Sequence, residues 1–217
     1  MATSNEADLR EEIIAVAMVL ADRNIIQGMS GNISVRFGDG FLITPTSIPY
    51  NRLQPEEIVW MDFDGAAKGC RKPSSEWRFH LDIQRTRADV GAVIHAHSPY
   101  CTALAIMGRS IPAIHYMIAA AGGPEIRCAP YATYGTQALS DHVMTALEDR
   151  TACLMAHHGM IAMGGTLERA AWLAVEVEAL ARQYHACLQI GSPPVLPDDE
   201  IERIRLKFAG YGMGSQE

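Results

Sequence analysis

Two histidines separated by one residue, His95 and His97, have the types and the spacing that a metal site needs. Residues 92–94 before them are apolar, and Gly91 and Pro99 bound the segment, which predicts a short buried strand. Side chains two residues apart on a strand point to the same face, so both imidazoles can bind one ion. Imidazole is a common ligand of zinc. Two ordinary histidines at the end of a strand would show the same pattern.

A third histidine, His158, lies in the turn His157-His158-Gly159. The flanking residues 151–156 and 160–163 are apolar, and we expect them to pair as antiparallel strands. Histidines in turns are often simply solvated, but these two lie between buried segments. Three protein ligands with one open position are typical of catalytic zinc.

A carboxylate, Glu76, follows two serines at the start of a predicted helix. Ser74 or Ser75 is a suitable N-cap, which would place Glu76 in the first turn. Helix N-termini carry unpaired N–H groups and can hold phosphate. The serines could instead only cap the helix, and Glu76 could only complement its dipole. If zinc lies nearby, a Lewis acid and a proton-transferring carboxylate together suit carbon–carbon cleavage beside a phosphorylated ketone.

Two further turns carry groups that suit an anion. Gly31 and Asn32 precede a predicted strand over residues 33–37, and Thr46 and Ser47 follow a second strand over residues 41–44. Glycine lets backbone N–H groups approach an anion, and hydroxyl and amide side chains add donors. Either turn taken alone is equally well explained as a plain loop.

Composition limits the possible partners. The 217 residues carry a formal net charge of −7, which disfavours a nucleic-acid binder but allows a small anionic substrate. We expect no membrane partner, because there is no signal peptide and no apolar run long enough to cross a bilayer. Five scattered cysteines without a CxxC motif indicate reduced thiols in a cytoplasmic protein.

Together these motifs resemble the class II aldolase/adducin family, and within it the fuculose-phosphate branch, over nearly the whole chain. The segments that carry the resemblance are Gly31-Asn32-Ile33-Ser34, Thr44-Pro45-Thr46, Pro73-Ser74-Ser75-Glu76, His95-Ala96-His97, His157-His158-Gly159 and residues 111–123.

The resemblance implies a fold and an assembly. The fold would be a single α/β domain over residues 1–217, with a mostly antiparallel central sheet flanked by helices in three layers. The protein would be a homotetramer, with one Zn²⁺ per subunit and active sites at the subunit interfaces.

The resemblance also implies roles for individual residues. Zinc would be held by Glu76, His95, His97 and His158, and Glu76 would become the acid/base when substrate displaces it. Tyr116 of a neighbouring subunit and Tyr211 of the tail would act in catalysis, and Tyr134 would line the aldehyde pocket. The substrate phosphate would be held by Gly31, Asn32, Thr46, Ser47, Ser74 and Ser75. Ser47 stands where this branch has glycine, which is unfavourable if the turn needs a positive φ.

The reaction implied is cleavage of a ketose 1-phosphate to dihydroxyacetone phosphate and a small aldehyde, through an enediolate that zinc stabilises. Substrates within the family are L-fuculose 1-phosphate and 5-deoxy- or 5-methylthio-ribulose 1-phosphate. The alternatives are a ribulose-phosphate 4-epimerase, a methylthioribulose-phosphate dehydratase, or a non-catalytic adducin-like binding module, which need not keep three histidines and Glu76.

Overall fold

The strand that carries His95 lies in the middle of an eight-stranded sheet. The computed structural model describes residues 5–209. The strands are β1 Asn32–Phe37, β2 Gly40–Ile43, β3 Val59–Asp62, β4 Ala67–Lys68, β5 Ala92–Ala96, β6 Ile111–Pro112, β7 Glu125–Ile126, β8 Cys128–Ala129, β9 Ala152–Met155 and β10 Gly159–Gly164. Their order in the sheet is β4-β3-β2-β1-β5-β10-β9-β8, and every pairing is antiparallel except that of β8 with β9. The remaining strands, β6 and β7, form a separate antiparallel pair.

Helices cover both faces of the sheet, so the expected three-layer α/β architecture is confirmed. The helices are α1 Glu6–Asp22, α2 Trp77–Thr86, α3 Pro99–Ile106, α4 Gln137–Ala146, α5 Leu167–Ile190 and α6 Asp198–Ala209. One apolar cluster joins the sheet to α1, α3 and α5, and a second joins its other face to α2 and α4.

The alternation of β5 decides where His95 points. Ile94 packs in the cluster with α1, α3 and α5, whereas Val93 packs in the cluster with α2 and α4. The His95 ring meets Phe79 of α2 edge to face, with 5.5 Å between ring centroids. His95 therefore lies on the side of the sheet that α2 covers, as period-two alternation requires.

The structure corrects the predicted start of α2. The helix begins at Trp77, and Glu76 occupies the N-cap position instead of the first turn. The Ser74 hydroxyl accepts a hydrogen bond from the Glu76 N–H at 3.2 Å. This bond lies before the first helical residue, so Ser74 is not the N-cap of α2. Glu76 makes no side-chain cap bond, which leaves its carboxylate available for other contacts.

The start of α3 is stabilised from α5. Ser98 occupies the N-cap position, but its side chain makes no capping bond. Its hydroxyl donates to Glu178 Oε2 at 2.7 Å, and the N–H groups of Tyr100 and Cys101 donate to the same carboxylate, both at 2.9 Å. Glu178 thereby holds the chain directly after His97 and satisfies donors that a helix start leaves unpaired.

We expect Glu178→Ala to lower the free energy of unfolding by about 1–3 kcal/mol, because buried donors at the start of α3 lose their acceptor. At roughly 2–4 °C per kcal/mol for a chain of this size, thermal unfolding should detect the change. Glu176→Ala on the same helix is the matched control, since Glu176 accepts no hydrogen bond within residues 5–209. Equal melting temperatures for the two variants would contradict the role of Glu178.

Candidate metal centre

Four side chains predicted from the sequence converge on one point: Glu76, His95, His97 and His158. Each offers one ligand atom, and these atoms all lie within 4.8 Å of one another. Glu76 Oε2 lies 3.2 Å from His95 Nε2, and Glu76 Oε1 lies 3.0 Å from His158 Nε2. The three imidazole rings have centroid separations of 4.8, 4.8 and 4.9 Å.

Sheet register brings the histidines together. His95 belongs to β5, and His97 follows the end of that strand. The turn that carries His158 leads into β10, whose Met160 pairs with Ala96 of β5. Gly159 permits this close pairing, because a Cβ there would lie 2.4 Å from the Ala96 carbonyl oxygen.

The donor set fits a metal cation. His95 Nδ1 is 2.9 Å from the Met160 carbonyl oxygen, which can only accept, so Nδ1 carries the proton. In a neutral His95 ring, the form that coordinates metals, Nε2 then presents a lone pair to the Glu76 carboxylate and to His97 Nε2, which is 3.0 Å away. Acceptors facing acceptors repel unless a cation lies between them. Ligands about 2.0–2.1 Å from a tetrahedral zinc would be roughly 3.3 Å apart, close to these separations.

The protonation states also suit a metal. Burial alone would raise the pKa of Glu76, but the neighbouring His95 and His158 outweigh it and lower that pKa well below its usual range. Burial, together with His95 and His158, lowers the pKa of His97 to about 4. Glu76 is therefore a carboxylate and His97 a neutral imidazole at neutral pH, the forms that coordinate metals.

A buried set of polar residues lies behind Glu76. Sequence analysis named Asn32 only as a phosphate donor and did not single out His80 or Gln84. Asn32 Nδ2 donates to Glu76 Oε2 at 2.9 Å, and Asn32 Oδ1 lies 2.5 Å from His80 Nε2. His80 Nδ1 lies 2.8 Å from Ser34 Oγ, which in turn is 3.4 Å from Gln84 Nε2. The pattern could have been recognised from Asn32 and Ser34 on one strand face and Glu76, His80 and Gln84 on one helix face.

The segments predicted to bind phosphate lie next to this centre. Ser74 N donates to the Thr44 carbonyl at 3.0 Å and Thr46 N donates to the Lys72 carbonyl at 3.2 Å, so residues 44–47 run beside residues 72–75. Gly31 has a φ of 86°, and a Cβ there would lie 2.6 Å from the His95 carbonyl oxygen. The structure therefore brings these loops to the edge of the centre.

Ser47 has a positive φ, the backbone conformation that sequence analysis identified as unfavourable for a serine at this position. Its φ is 61°, in the left-handed region that is costly for residues with a Cβ. Its side chain is exposed, and its hydroxyl lies 3.2 Å from that of Thr46. The loop therefore keeps a glycine-like conformation and presents an extra hydroxyl group.

The predicted tyrosines differ in their placement. Tyr134 is exposed and precedes Gly135. A Cβ added at Gly135 would lie 2.7 Å from the Ser75 carbonyl oxygen, so Tyr134 lies near the predicted phosphate loops. Tyr116 is 49% exposed, and its ring neighbours are His115 and Phe208 rather than the four clustered side chains of its own chain. Tyr211 lies outside the described residues.

An aromatic residue near the centre was missed by sequence analysis. Tyr131 is exposed and meets His157, the neighbour of His158, edge to face at 5.9 Å between ring centroids. Nothing in the local sequence distinguishes Tyr131 from a solvent-exposed loop residue.

Within the part of the chain that the structure describes, no helix combines the length and apolar character needed to cross a membrane.

Comparisons with known proteins agree on one family. Residues 11–185 match the model of the "Class II Aldolase and Adducin N-terminal domain". A 5-methylthioribulose-1-phosphate/5-deoxyribulose-1-phosphate aldolase of Rhodospirillum rubrum is 54% identical, over 96% of this chain and 94% of the relative. An L-fuculose phosphate aldolase of Escherichia coli K12 is 51% identical, over 96% of this chain and 98% of the relative. The solved structure of an L-fuculose 1-phosphate aldolase superimposes with a TM-score of 0.92 at 39% identity, covering 96% of this chain and 100% of its own.

We expect Ser47→Gly to raise the free energy of unfolding by about 0.5–1 kcal/mol, since glycine adopts a φ of 61° without strain. Denaturant or thermal unfolding measures the change. Ser192→Gly is the control, because Ser192 is also exposed but is not among the described residues with positive φ. Destabilisation by Ser47→Gly would mean that the hydroxyl contributes more than the strain costs.

Proposed function

Because the chain belongs to the class II aldolase and adducin family, we propose that it is a zinc-dependent aldolase that cleaves a ketose 1-phosphate to dihydroxyacetone phosphate and a small aldehyde. The observation that carries the proposal is the buried carboxylate of Glu76 facing three imidazoles. A binding module of the adducin type would have no need for this charge arrangement. The relatives' names suggest L-fuculose 1-phosphate and 5-deoxy- or 5-methylthio-ribulose 1-phosphate as substrates.

The metal-binding residues of this proposal are Glu76, His95, His97 and His158. When bound, Zn²⁺ supplies a Lewis acid that polarises the substrate carbonyl and stabilises developing negative charge. The proton that His95 Nδ1 donates to the Met160 carbonyl keeps Nε2 free to coordinate, an arrangement typical of metal-ligating histidines.

Glu76 is the proton-transfer group of the proposal. Its low pKa depends on the facing imidazoles, so a substrate that separates the carboxylate from them should raise that pKa and let it hold a proton. Glu76 can then deliver the proton to C3 of dihydroxyacetone phosphate after the C3–C4 bond has broken. Glu76 makes no capping bond at its N-cap position, so no bond to its own helix opposes this movement.

The substrate phosphate has a site on the adjacent loops. Backbone N–H groups near Gly31 and at the start of α2, with the hydroxyl side chains of the adjacent loops, provide the donors. Ser47 adds a hydroxyl to this set. The proposed phosphate-binding residues are Gly31, Asn32, Thr46, Ser47, Ser74 and Ser75.

The remaining roles depend on assembly. The active form is a homo-oligomer, a tetramer, in which Tyr116 of a neighbouring subunit handles the proton on the aldehyde oxygen. Its exposure leaves the side chain available to a second subunit. Tyr134 lines the aldehyde pocket, Tyr211 helps to close the site, and residues 1–217 form one functional domain.

The direct test is a screen of ketose 1-phosphates with coupled detection of dihydroxyacetone phosphate, with Glu76→Gln as the matched variant. We expect turnover only of phosphorylated ketoses by wild type carrying about one zinc per subunit. Glu76→Gln should keep zinc on three histidines and lose at least about 100-fold in kcat, because the amide cannot carry the proton.

Wild type and Glu76→Gln also distinguish an aldolase from an epimerase or a dehydratase. The variant should also lose exchange of the C3 proton of dihydroxyacetone phosphate with solvent deuterium. Epimer formation or loss of water without dihydroxyacetone phosphate would show an epimerase or a dehydratase. A zinc-loaded Glu76→Gln protein with wild-type exchange would assign the proton transfer to another residue.

We also expect mixed tetramers of Tyr116→Phe and Glu76→Gln subunits to regain activity, because some hybrid sites then combine an intact Tyr116 with an intact Glu76. Activity after verified subunit exchange is the measurement. Mixing Glu76→Gln with His95→Ala is the control, since both residues belong to the same subunit's centre and cannot complement. Lack of recovery with the first pair would place Tyr116 outside the neighbouring site.

A further inference from the structure

We propose that His80 is a positioning residue that orients the Glu76 carboxylate through Asn32. The inference rests on the proposed role of Glu76. It assigns a role to His80, which contacts neither a metal ligand nor the substrate. It follows from the buried polar residues behind the centre, which we call the polar seam: Asn32, Ser34, Glu76, His80 and Gln84.

The polar seam follows directly from backbone periodicity. Asn32 and Ser34 are two residues apart on β1, so they share one face of the strand. Glu76, His80 and Gln84 are spaced by four residues at the start of α2 and along it, so they share one face of the helix. His80, Ser34 and Gln84 have no exposed surface, and Asn32 is only 4% exposed. Water therefore cannot replace a missing partner in the seam.

The hydrogen bonds of the seam can run in only one direction while Glu76 is ionised. A carboxylate oxygen only accepts, so the Asn32 atom that faces Glu76 at 2.9 Å must be the amide nitrogen. Asn32 Oδ1 then faces His80 and also only accepts, so His80 Nε2 must donate the proton. With the amide reversed, Oδ1 would oppose the Glu76 oxygen.

The tautomer of His80 determines the direction of the remaining hydrogen bonds in the polar seam. A neutral imidazole with its proton on Nε2 has an acceptor at Nδ1, so the Ser34 hydroxyl donates to it at 2.8 Å. Burial lowers the pKa of His80 to about 3, which keeps the ring neutral at physiological pH. The Ser34 oxygen can then accept from Gln84 Nε2. His80 thus selects the amide orientation of Asn32, and Asn32 holds one oxygen of Glu76.

A purely structural seam would have different consequences. If these residues only satisfied one another in the core, their loss would lower stability and leave each folded, zinc-loaded molecule fully active. If His80 positions Glu76, zinc affinity and kcat should fall in folded protein. Outer partners of metal ligands typically contribute about 10- to 100-fold in affinity or activity.

Two conservative variants separate these cases. In His80→Gln the amide nitrogen can reach near the position of Nε2 and still donate to Asn32. In His80→Asn the amide ends near Nδ1 and cannot. We expect His80→Asn to lose about 10- to 100-fold in kcat and in zinc affinity, with KM changed less than about threefold, and His80→Gln to recover most of the loss. His142→Asn, at a half-buried histidine of α4 outside the polar seam, is the control.

A measurement without substrate or metal tests the same inference. Long-range ¹H–¹⁵N spectra of metal-free protein should show His80 protonated at Nε2 and not at Nδ1, with its signals identified by their absence in His80→Gln. An Nδ1–H tautomer would overturn the proposal. So would a folded His80→Asn protein with wild-type zinc affinity and kcat. If wild type cleaves no ketose 1-phosphate, the proposed function fails, whereas the zinc affinities and the tautomer still decide the role of His80.

Discussion

A buried carboxylate that faces the lone pair of a neutral imidazole is unstable unless positive charge lies between them. Desolvated ions and polar groups cost several kcal/mol when they are not compensated. In this protein Glu76 is 8% exposed and His95 has no exposed surface, so solvent supplies little compensation. A cation bound between these buried acceptors would remove their mutual repulsion. Binding of the ion and stability of this region should be coupled for the same reason.

The sheet makes this arrangement possible by providing a rigid base. β5 is paired on both sides, by β1 and by β10, so His95 has little freedom to move away from its neighbours. Its cross-strand partner on β1 is Asn32, the residue that also contacts Glu76. The centre and the polar seam thus share one strand pairing. A one-residue slip of β1 against β5 would move Asn32 and Ser34 to the other face of the sheet.

Much of this could be predicted from the sequence because it depends on local rules. The HxH spacing on a buried strand, the turn with His158 and the helix after Ser75 each follow from short patterns. The first residue of α2 was predicted wrongly because three consecutive polar residues offer competing caps. The two-residue strands β4, β6, β7 and β8 could not be predicted, because such short segments show no periodicity. The contact of Asn32 with His80 depends on how β1 and α2 pack, which no local pattern specifies.

The two exposed aromatic residues of the loop after β8 have a consequence for evolution. Tyr131 and Tyr134 lie on a surface segment, whereas the clustered ligands are set by β5, β10 and the start of α2. Substitutions at exposed loop positions usually change stability little, because few packed contacts depend on them. This division separates the residues that can diversify from those that must stay fixed. Related proteins can therefore come to differ in what this loop contacts through substitutions in the loop alone, while the clustered side chains of the centre stay the same.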